Sequence, residues 1–155
     1  MPHTKLVLFI EDEPFAVDWV KRIVAEEFRE LCRIENVRSE REFLLRQEEL
    51  EKMAVDAVIL DIILPWEDGV PVTDRTDYMK PRGPIYEAGI RIYEDLKGSA
   101  RFRDLPLLMY SVTDVDRLVF PEGLGKPAFM SKQAPDFRLL QWIRRNLFER
   151  GDSGS

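Results

Sequence analysis

Four short apolar runs alternate along the sequence with stretches in which apolar residues recur at helical spacing. They cover residues 5–10, 55–60, 105–110 and 128–131, and residues 32–37 can form a further strand. Strands that helices cover on both faces read as nearly continuous apolar runs of this kind, whereas half-exposed strands alternate. Right-handed crossovers then place helices on both faces of the sheet. The sequence therefore predicts an α/β domain built on a five-stranded parallel sheet.

Capping residues and helical periodicity predict the helices between these runs. Pro14 suits the first turn of a helix whose apolar stripe extends from Ala16 to Leu31. Ser39 caps the second helix, and Glu42 three residues later completes a capping-box pattern. The other predicted helices cover residues 86–97, 113–119 and a stretch that begins near residue 135. The helix at 113–119 can only be short, because proline and glycine follow it.

Length, charge and cysteine content narrow the class of protein. The 155 residues fit one domain, and the net charge of -6 argues against direct binding to nucleic acid, which usually needs a basic face. Cys32 is the single cysteine, so an internal disulfide is ruled out and a reducing cytoplasm is the expected location. The apolar runs are far too short to span a bilayer, so we expect no association with a membrane.

Polar side chains follow four of the predicted strands at the point where each strand ends. Glu11 and Asp12 follow the first strand, Asp61 the third, Ser111 the fourth and Lys132 the fifth. Ligand sites of open parallel sheets lie beyond the carboxyl ends of the strands. Carboxylates there suit Mg²⁺, while a lysine and a serine hydroxyl suit phosphate oxygens. The pattern therefore indicates a site for a divalent cation and a phosphate.

Each of these residues also has a structural explanation when it is taken alone. An acid after a strand is often a helix cap, and we favour that role for Glu13. A serine or a lysine at a strand end is often a turn or surface residue. Four strand ends would, however, need four separate structural explanations, so their joint pattern favours a functional site.

Four stretches of the chain resemble the receiver domains of two-component signalling, the CheY-like response regulators. They cover residues 7–14, 57–65, 106–111 and 129–132, and they occur in the family's order. The resemblance extends over nearly the whole chain. It implies a doubly wound, flavodoxin-like α/β fold with strand order 2-1-3-4-5 and helices on both faces, in one receiver domain at residues 1–150.

The resemblance also implies a role for each matching acid. Asp61 would be the phosphoacceptor. Asp12 would bind Mg²⁺ directly and Glu11 directly or through water, together with Asp61 and the backbone carbonyl of Ile63. The phosphoryl group would come from a histidine kinase or a phosphotransfer protein, and the aspartyl phosphate that it forms would be temporary.

Three further residues would read and transmit the modification. Ser111 would contact the phosphoryl group and move toward it, and Lys132 would pair with a phosphoryl oxygen. Phe129 stands at the position of the family's aromatic switch residue, although plain core packing explains it equally well. The downstream protein is unknown, and the sequence leaves a homodimer open.

The chain departs from the family pattern at several places. Residues 70–85 are read as an insertion beside the phosphorylation site, where it would partly cover the site or select the kinase. Val112 has a branched side chain where the family commonly has a small residue, which would narrow access to Asp61. Gln133 stands where the family usually has proline, and residues 151–155 are expected to form a disordered tail.

Three functional interpretations remain open. The first is a signalling receiver domain, which is a phosphoacceptor rather than an enzyme, although it can catalyse its own phosphorylation and dephosphorylation. The second is a receiver-like interaction domain that works without phosphorylation. The third is a Mg²⁺-dependent phosphatase that forms an aspartyl phosphate. Such enzymes place a second acid two residues after the nucleophile, and here Ile63 occupies that position, which counts against the third interpretation.

Overall fold

Five parallel strands form one sheet in the computed structural model, which describes residues 3–68, 79–80, 82–112, 116 and 118–149. Numbered in chain order, the strands are β1 (Lys5–Ile10), β2 (Cys32–Val37), β3 (Ala57–Leu60), β6 (Leu107–Ser111) and β7 (Ala128–Ser131), with a short antiparallel hairpin of β4 (Met79–Lys80) and β5 (Gly83–Pro84) between β3 and β6. The sheet order is β2-β1-β3-β6-β7. Counted within the sheet alone this is 2-1-3-4-5, so the predicted fold is confirmed.

Helices cover both faces of the sheet. They are α1 (Pro14–Phe28), α2 (Glu40–Lys52), α3 (Ala88–Lys97) and α4 (Asp136–Arg144), with short 3-10 turns at Arg29–Leu31 and Ile85–Glu87 and a π turn at Arg145–Glu149. One apolar core lies between the sheet and helices α2 and α3, and a second lies between the sheet and helices α1 and α4. The fold is therefore a three-layer sandwich in which the sheet is buried on both sides.

Helix α1 begins as the sequence predicts. The Glu13 carboxylate accepts hydrogen bonds from the backbone N–H groups of Phe15 and Ala16 at 3.1 and 2.6 Å, which satisfies two of the helix's free donors. The capping role for Glu13 is thereby confirmed. The expectation that Leu31 lies on the buried stripe is wrong, because α1 ends at Phe28 and leaves Leu31 44% exposed.

Helix α2 begins with a variant of the predicted capping box. Ser39 Oγ accepts a hydrogen bond from the backbone N–H of Glu42 at 3.0 Å, as expected. The Glu42 side chain, however, accepts from the backbone N–H of Arg38 at 3.1 Å, one residue before the cap rather than the cap itself. Both bonds still fix the entry of the chain into α2.

Three predicted segments lie wholly or largely outside the described residues. They are the insertion at 70–85, the short helix at 113–119 and the tail at 151–155. Strands β3 and β6 each begin two residues later than predicted, at Ala57 and Leu107. Within the described part of the chain, none of the helices has the length and apolar content that a membrane span requires.

Candidate functional site

The parallel register of the sheet brings the predicted site residues to one edge. The backbone N–H of Asp61 donates to the carbonyl of Ile10 at 3.0 Å, so Asp61 lies beside Glu11 at the end of β1. The backbone N–H of Lys132 donates to the carbonyl of Ser111 at 3.1 Å, which sets these two residues side by side at the ends of β7 and β6. The four strand ends therefore meet as predicted.

Three acids form a compact cluster at this edge. Carboxylate oxygens of Glu11, Asp12 and Asp61 all lie within 4.8 Å of one another. Glu11 is fully buried, Asp61 is 6% exposed and Asp12 is half-buried. Lys132 Nζ makes ion pairs with both buried acids, with Glu11 Oε1 and, at 2.8 Å, with Asp61 Oδ2. A lysine ammonium thus stands where the negative charge is most deeply buried.

Burial and mutual repulsion perturb the protonation of this cluster. Burial, reinforced by the charge of Asp61, raises the pKa of Glu11 to about 8 even though Lys132 acts in the opposite direction. Burial also raises the pKa of Asp12. Burial alone would lower the pKa of Lys132, but attraction to Asp61 and Glu11 outweighs it and the pKa is raised. One lysine therefore compensates three carboxyl groups incompletely, and a hard divalent cation fits the remaining charge and the oxygen donors.

Both oxygens of the Asp61 side chain are held in place. Oδ1 accepts a hydrogen bond from the backbone N–H of Ile62 at 2.7 Å, and Oδ2 faces Lys132. The backbone N–H of Gly89, near the start of α3, donates to the carbonyl of Ile62 at 2.8 Å. The approach is so close that a Cβ atom at Gly89 would lie 2.3 Å from the Asp61 carbonyl oxygen. A glycine is therefore required where α3 meets the Asp61 loop, which comprises residues 61–66.

The sequence interpretation did not assign this contact to Gly89. The available signal was an isolated glycine inside a predicted helix, where glycine is unfavourable and its presence points to a packing requirement. It also missed two residues that hold the end of β1. Asn36 Nδ2 donates to the carbonyl of Glu11 at 3.1 Å, and Arg38 Nη2 donates to the carbonyl of Asp12 at 3.3 Å. The signal for Asn36 was a polar residue inside an otherwise strand-like run.

The remaining predicted residues occupy the same edge or the strands that lead to it. Ser111 is fully buried at the end of β6, and Ile63 is half-buried in the loop that follows Asp61. Phe129 is half-buried and packs against the core beneath α2 and α3. Val112 is 68% exposed beside Ser111. The roles of these side chains in phosphorylation stay predictions.

The segment after Lys132 forms a turn without proline. The backbone N–H of Gln133 donates to Ser131 Oγ at 3.1 Å, and the backbone N–H of Ala134 donates to the Ser131 carbonyl at 3.0 Å. The peptide bonds of the described residues, including this turn, are all trans. The hydroxyl of Ser131 therefore helps to fix the turn that follows Lys132.

The five-stranded order and the two helix layers define an α/β domain with the fold of response-regulator receiver domains. The phosphorylated cyanobacterial phytochrome response regulator RcpA aligns with a TM-score of 0.66 at 18% sequence identity, over 95% of this chain and 96% of that one. The chemotaxis response regulator CheY4 of Vibrio cholerae aligns with a TM-score of 0.61 at 16% identity, over 94% of this chain and 100% of its own.

A third solved structure carries a metal. The receiver domain of the sensor histidine kinase PA1611 from Pseudomonas aeruginosa PAO1, which has a magnesium ion coordinated in its active-site cleft, aligns with a TM-score of 0.61 at 15% identity, over 93% of this chain and 98% of that one. No protein-family model and no curated protein sequence matches the chain. The likeness at these identities establishes the fold.

Proposed function

We propose that this chain is a cytoplasmic signalling receiver domain that accepts a phosphoryl group on Asp61 from a histidine kinase or a phosphotransfer protein. The observation that carries the proposal is the contact of 2.8 Å between Lys132 Nζ and Asp61 Oδ2, within a cluster in which Glu11 and Asp12 offer oxygens less than 4.8 Å away. A nucleophilic carboxylate, a compact cation and a cluster of metal-ligating oxygens are the parts that phosphoryl transfer to an aspartate requires.

The transfer would proceed by in-line displacement at phosphorus. A carboxylate oxygen of Asp61 forms the new O–P bond while the P–N bond to the donor histidine breaks. The electron pair of that bond stays on the histidine nitrogen, and the ring, whose other nitrogen carries a proton, leaves as neutral imidazole. Lys132 offsets negative charge on the phosphoryl oxygens, and the Ser111 hydroxyl donates to one of them. Such transfer depends on positioning and charge compensation more than on covalent help from the protein.

Mg²⁺ would be held by the carboxylates of Glu11, Asp12 and Asp61 and by the backbone carbonyl of Ile63. When it is bound, it neutralises the excess negative charge of the cluster and of the incoming phosphoryl oxygens. Since the ligand carboxyl groups must be ionised to bind a metal, uptake would displace the proton that burial favours on Glu11.

The signal would leave the domain through a local change in charge and packing. Phosphorylation adds negative charge next to Ser111 at the end of β6, and Phe129 on the neighbouring strand β7 would change rotamer as Ser111 moves. The receiving partner would be a protein, because the net charge of -6 does not favour nucleic acid.

The proposal is tested by intact mass after incubation with Mg²⁺ and a small phosphodonor. Wild-type protein should gain one phosphoryl group, and Asp61→Asn should gain none. Asp18→Asn is the matched control, because Asp18 is an exposed acid on α1 that does not belong to the three-acid cluster. The control should be labelled like the wild type.

Two other outcomes would replace the proposal. Steady release of phosphate from a phosphorylated metabolite would indicate a Mg²⁺-dependent phosphatase. Complete absence of labelling, both from small donors and from a panel of histidine kinases, would indicate a receiver-like interaction domain that works without phosphate. Labelling that persists in Asp61→Asn would show that another residue is the acceptor.

A further inference from the structure

A buried ion pair joins the amino-terminal ends of α2 and α3 next to the Asp61 loop. The carboxylate of Glu40, which is only 2% exposed, accepts two hydrogen bonds from Arg91, at 2.8 Å from Nε and 2.7 Å from Nη2. Arg82 approaches the same carboxylate at 3.4 Å and pairs with Asp95 at 2.9 Å. A two-pronged arginine–carboxylate pair fixes orientation as well as distance.

The start of α2 also holds the chain that leaves Asp61. The first backbone N–H groups of a helix have no partner within the helix. Here the N–H of Glu40 donates to the carbonyl of Pro65 at 3.1 Å, and the N–H of Arg41 donates to the carbonyl of Trp66 at 2.9 Å. Glu40 therefore contacts the loop that follows Asp61 through its backbone N–H, and it contacts α3 through its side-chain carboxylate.

The start of α3 holds the other side of the same loop. The N–H of Gly89 binds the carbonyl of Ile62, and the N–H of Leu64 donates to the carbonyl of Ile85 at 3.3 Å. Arg91 is two residues beyond Gly89, and its Nη1 also donates to the carbonyl of Pro84 at 2.8 Å. The loop after Asp61 thus lies between two helix ends that the Glu40–Arg91 pair ties together.

We propose that Glu40 and Arg91 are positioning residues that hold the Asp61 loop in the geometry that binds Mg²⁺. The inference rests on the proposed function, since the loop carries Asp61 and the Ile63 carbonyl as metal ligands. Residues that orient a metal's ligands without touching the metal commonly change its affinity by about 10–100-fold when they are replaced. The pair is well placed for that role, because it acts on both backbone segments that flank the loop.

The test replaces the pair in ways that keep the domain folded. Removing one partner would leave the other buried charge without its two-pronged ion pair, whereas replacing both by apolar residues of similar size is often neutral for stability. The main variant is therefore Glu40→Leu with Arg91→Met. Arg91→Lys is the conservative variant, which keeps the charge but loses the two-pronged geometry.

Ser99→Ala is the matched control. Ser99 Oγ donates to Glu51 Oε1 at 3.1 Å and so joins α2 to the residues just after α3, at the ends of these helices that are remote from Asp61. Its loss removes a polar contact between the same two elements without touching the Asp61 loop. Any effect shared by the control would reflect general loosening of the helix pair.

Two measurements are made on folded protein: amide hydrogen exchange at Ile62 and Gly89, and the dissociation constant for Mg²⁺ by calorimetry. In the double variant we expect faster exchange at both amides and about tenfold weaker binding of Mg²⁺. Arg91→Lys should lie between it and the wild type, and Ser99→Ala should match the wild type. Saturating Mg²⁺ should restore the rate of labelling by a small phosphodonor, because the loss is one of affinity.

Unchanged exchange at Ile62 and Gly89 in the double variant would overturn the inference, whether or not the protein binds Mg²⁺. Unchanged Mg²⁺ affinity would overturn it as well. If the wild type binds no Mg²⁺ while exchange accelerates in the variant, the proposed function fails and the pair has only a structural role. The two failures are therefore distinguishable.

Discussion

Replacing Gly89 by alanine tests how tightly α3 must approach the Asp61 loop. The new Cβ would lie 2.3 Å from the Asp61 carbonyl oxygen and 2.5 Å from the Cα of Ile62. Both are backbone atoms, so no flexible side chain can swing away to make room. The Asp61 N–H donates a hydrogen bond to the Ile10 carbonyl at 3.0 Å, and the Gly89 N–H donates one to the Ile62 carbonyl. These two hydrogen bonds resist movement of the Asp61 loop and of α3.

The size of the effect follows from these distances. Ordinary carbon–oxygen contacts begin at about 3.3 Å, so the two backbones must separate by about 1 Å. Overpacking of this kind costs about 1–3 kcal/mol, and sometimes more. The gain in helix propensity from glycine to alanine offsets about 1 kcal/mol of that cost. Because both clashing atoms belong to the backbone, the cost lies at the upper end, about 3 kcal/mol, and we expect Gly89→Ala to lower the free energy of unfolding by about 2 kcal/mol.

Urea unfolding measures this change, and Gly98→Ala provides the matched control. Gly98 follows α3, and a Cβ there would lie 3.5 Å from its nearest neighbour, the carbonyl oxygen of Glu94, which is an ordinary contact. The control should be neutral or slightly more stable than the wild type. Gly89→Ala should also slow labelling of Asp61 by about 100-fold, because a shift of about 1 Å is enough to spoil the alignment of reacting groups.

A result in which Gly89→Ala is as stable as Gly98→Ala would refute the close approach of α3. Loss of stability with labelling at the wild-type rate would be a narrower refutation. It would mean that α3 moves away while the Asp61 loop stays in place, held by the sheet and by the start of α2.

Three further predictions concern single side chains. Burial raises the pKa of the Cys32 thiol to about 11, so only about 0.1% of it is thiolate at pH 8. A disulfide reagent should therefore react with Cys32 only after the protein unfolds, and rapid reaction in native protein would contradict this. Ser39→Ala removes the cap of α2 and should cost about 1 kcal/mol in urea unfolding, whereas no loss would mean that Glu42 suffices. Val112→Ala should speed labelling of Asp61 by a small phosphodonor; an unchanged rate would show that the exposed Val112 side chain does not limit access.

The apolar pattern predicted burial better than it predicted hydrogen-bonded pairing. The bounds of β1, β2 and β7 were predicted correctly, because polar or turn residues flank those runs. Strand β3 was predicted too long because Val55 is apolar and buried, yet its N–H bonds to Met53 in a turn rather than to a neighbouring strand. The prediction that Leu31 is buried was wrong for a related reason. The helical periodicity was extended past Arg29, where a φ of 54° ends the helix.

The part of the candidate site that could be predicted from the sequence is the part that the sheet topology alone brings together. The carboxyl ends of neighbouring parallel strands must meet, so the position of each polar residue after its strand was enough to bring Asp61 and Lys132 together. The contact between Glu40 and Arg91 had no such signal, because the two residues are 51 positions apart and neither follows a strand. Long-range ion pairs between helices depend on side-chain geometry that a sequence pattern does not contain.

The two buried charge clusters favour a common explanation. Burying carboxylates costs solvation energy, and ion pairs within a protein return only part of it, so neither cluster is explained by stability alone. The acids at Glu11 and Asp61 form one cluster, the Glu40–Arg91 pair forms the other, and the Asp61 loop lies between them. Groups that stabilise a transferring phosphoryl group act best when they are already oriented before it arrives. We therefore infer that both clusters serve to hold that loop in one orientation.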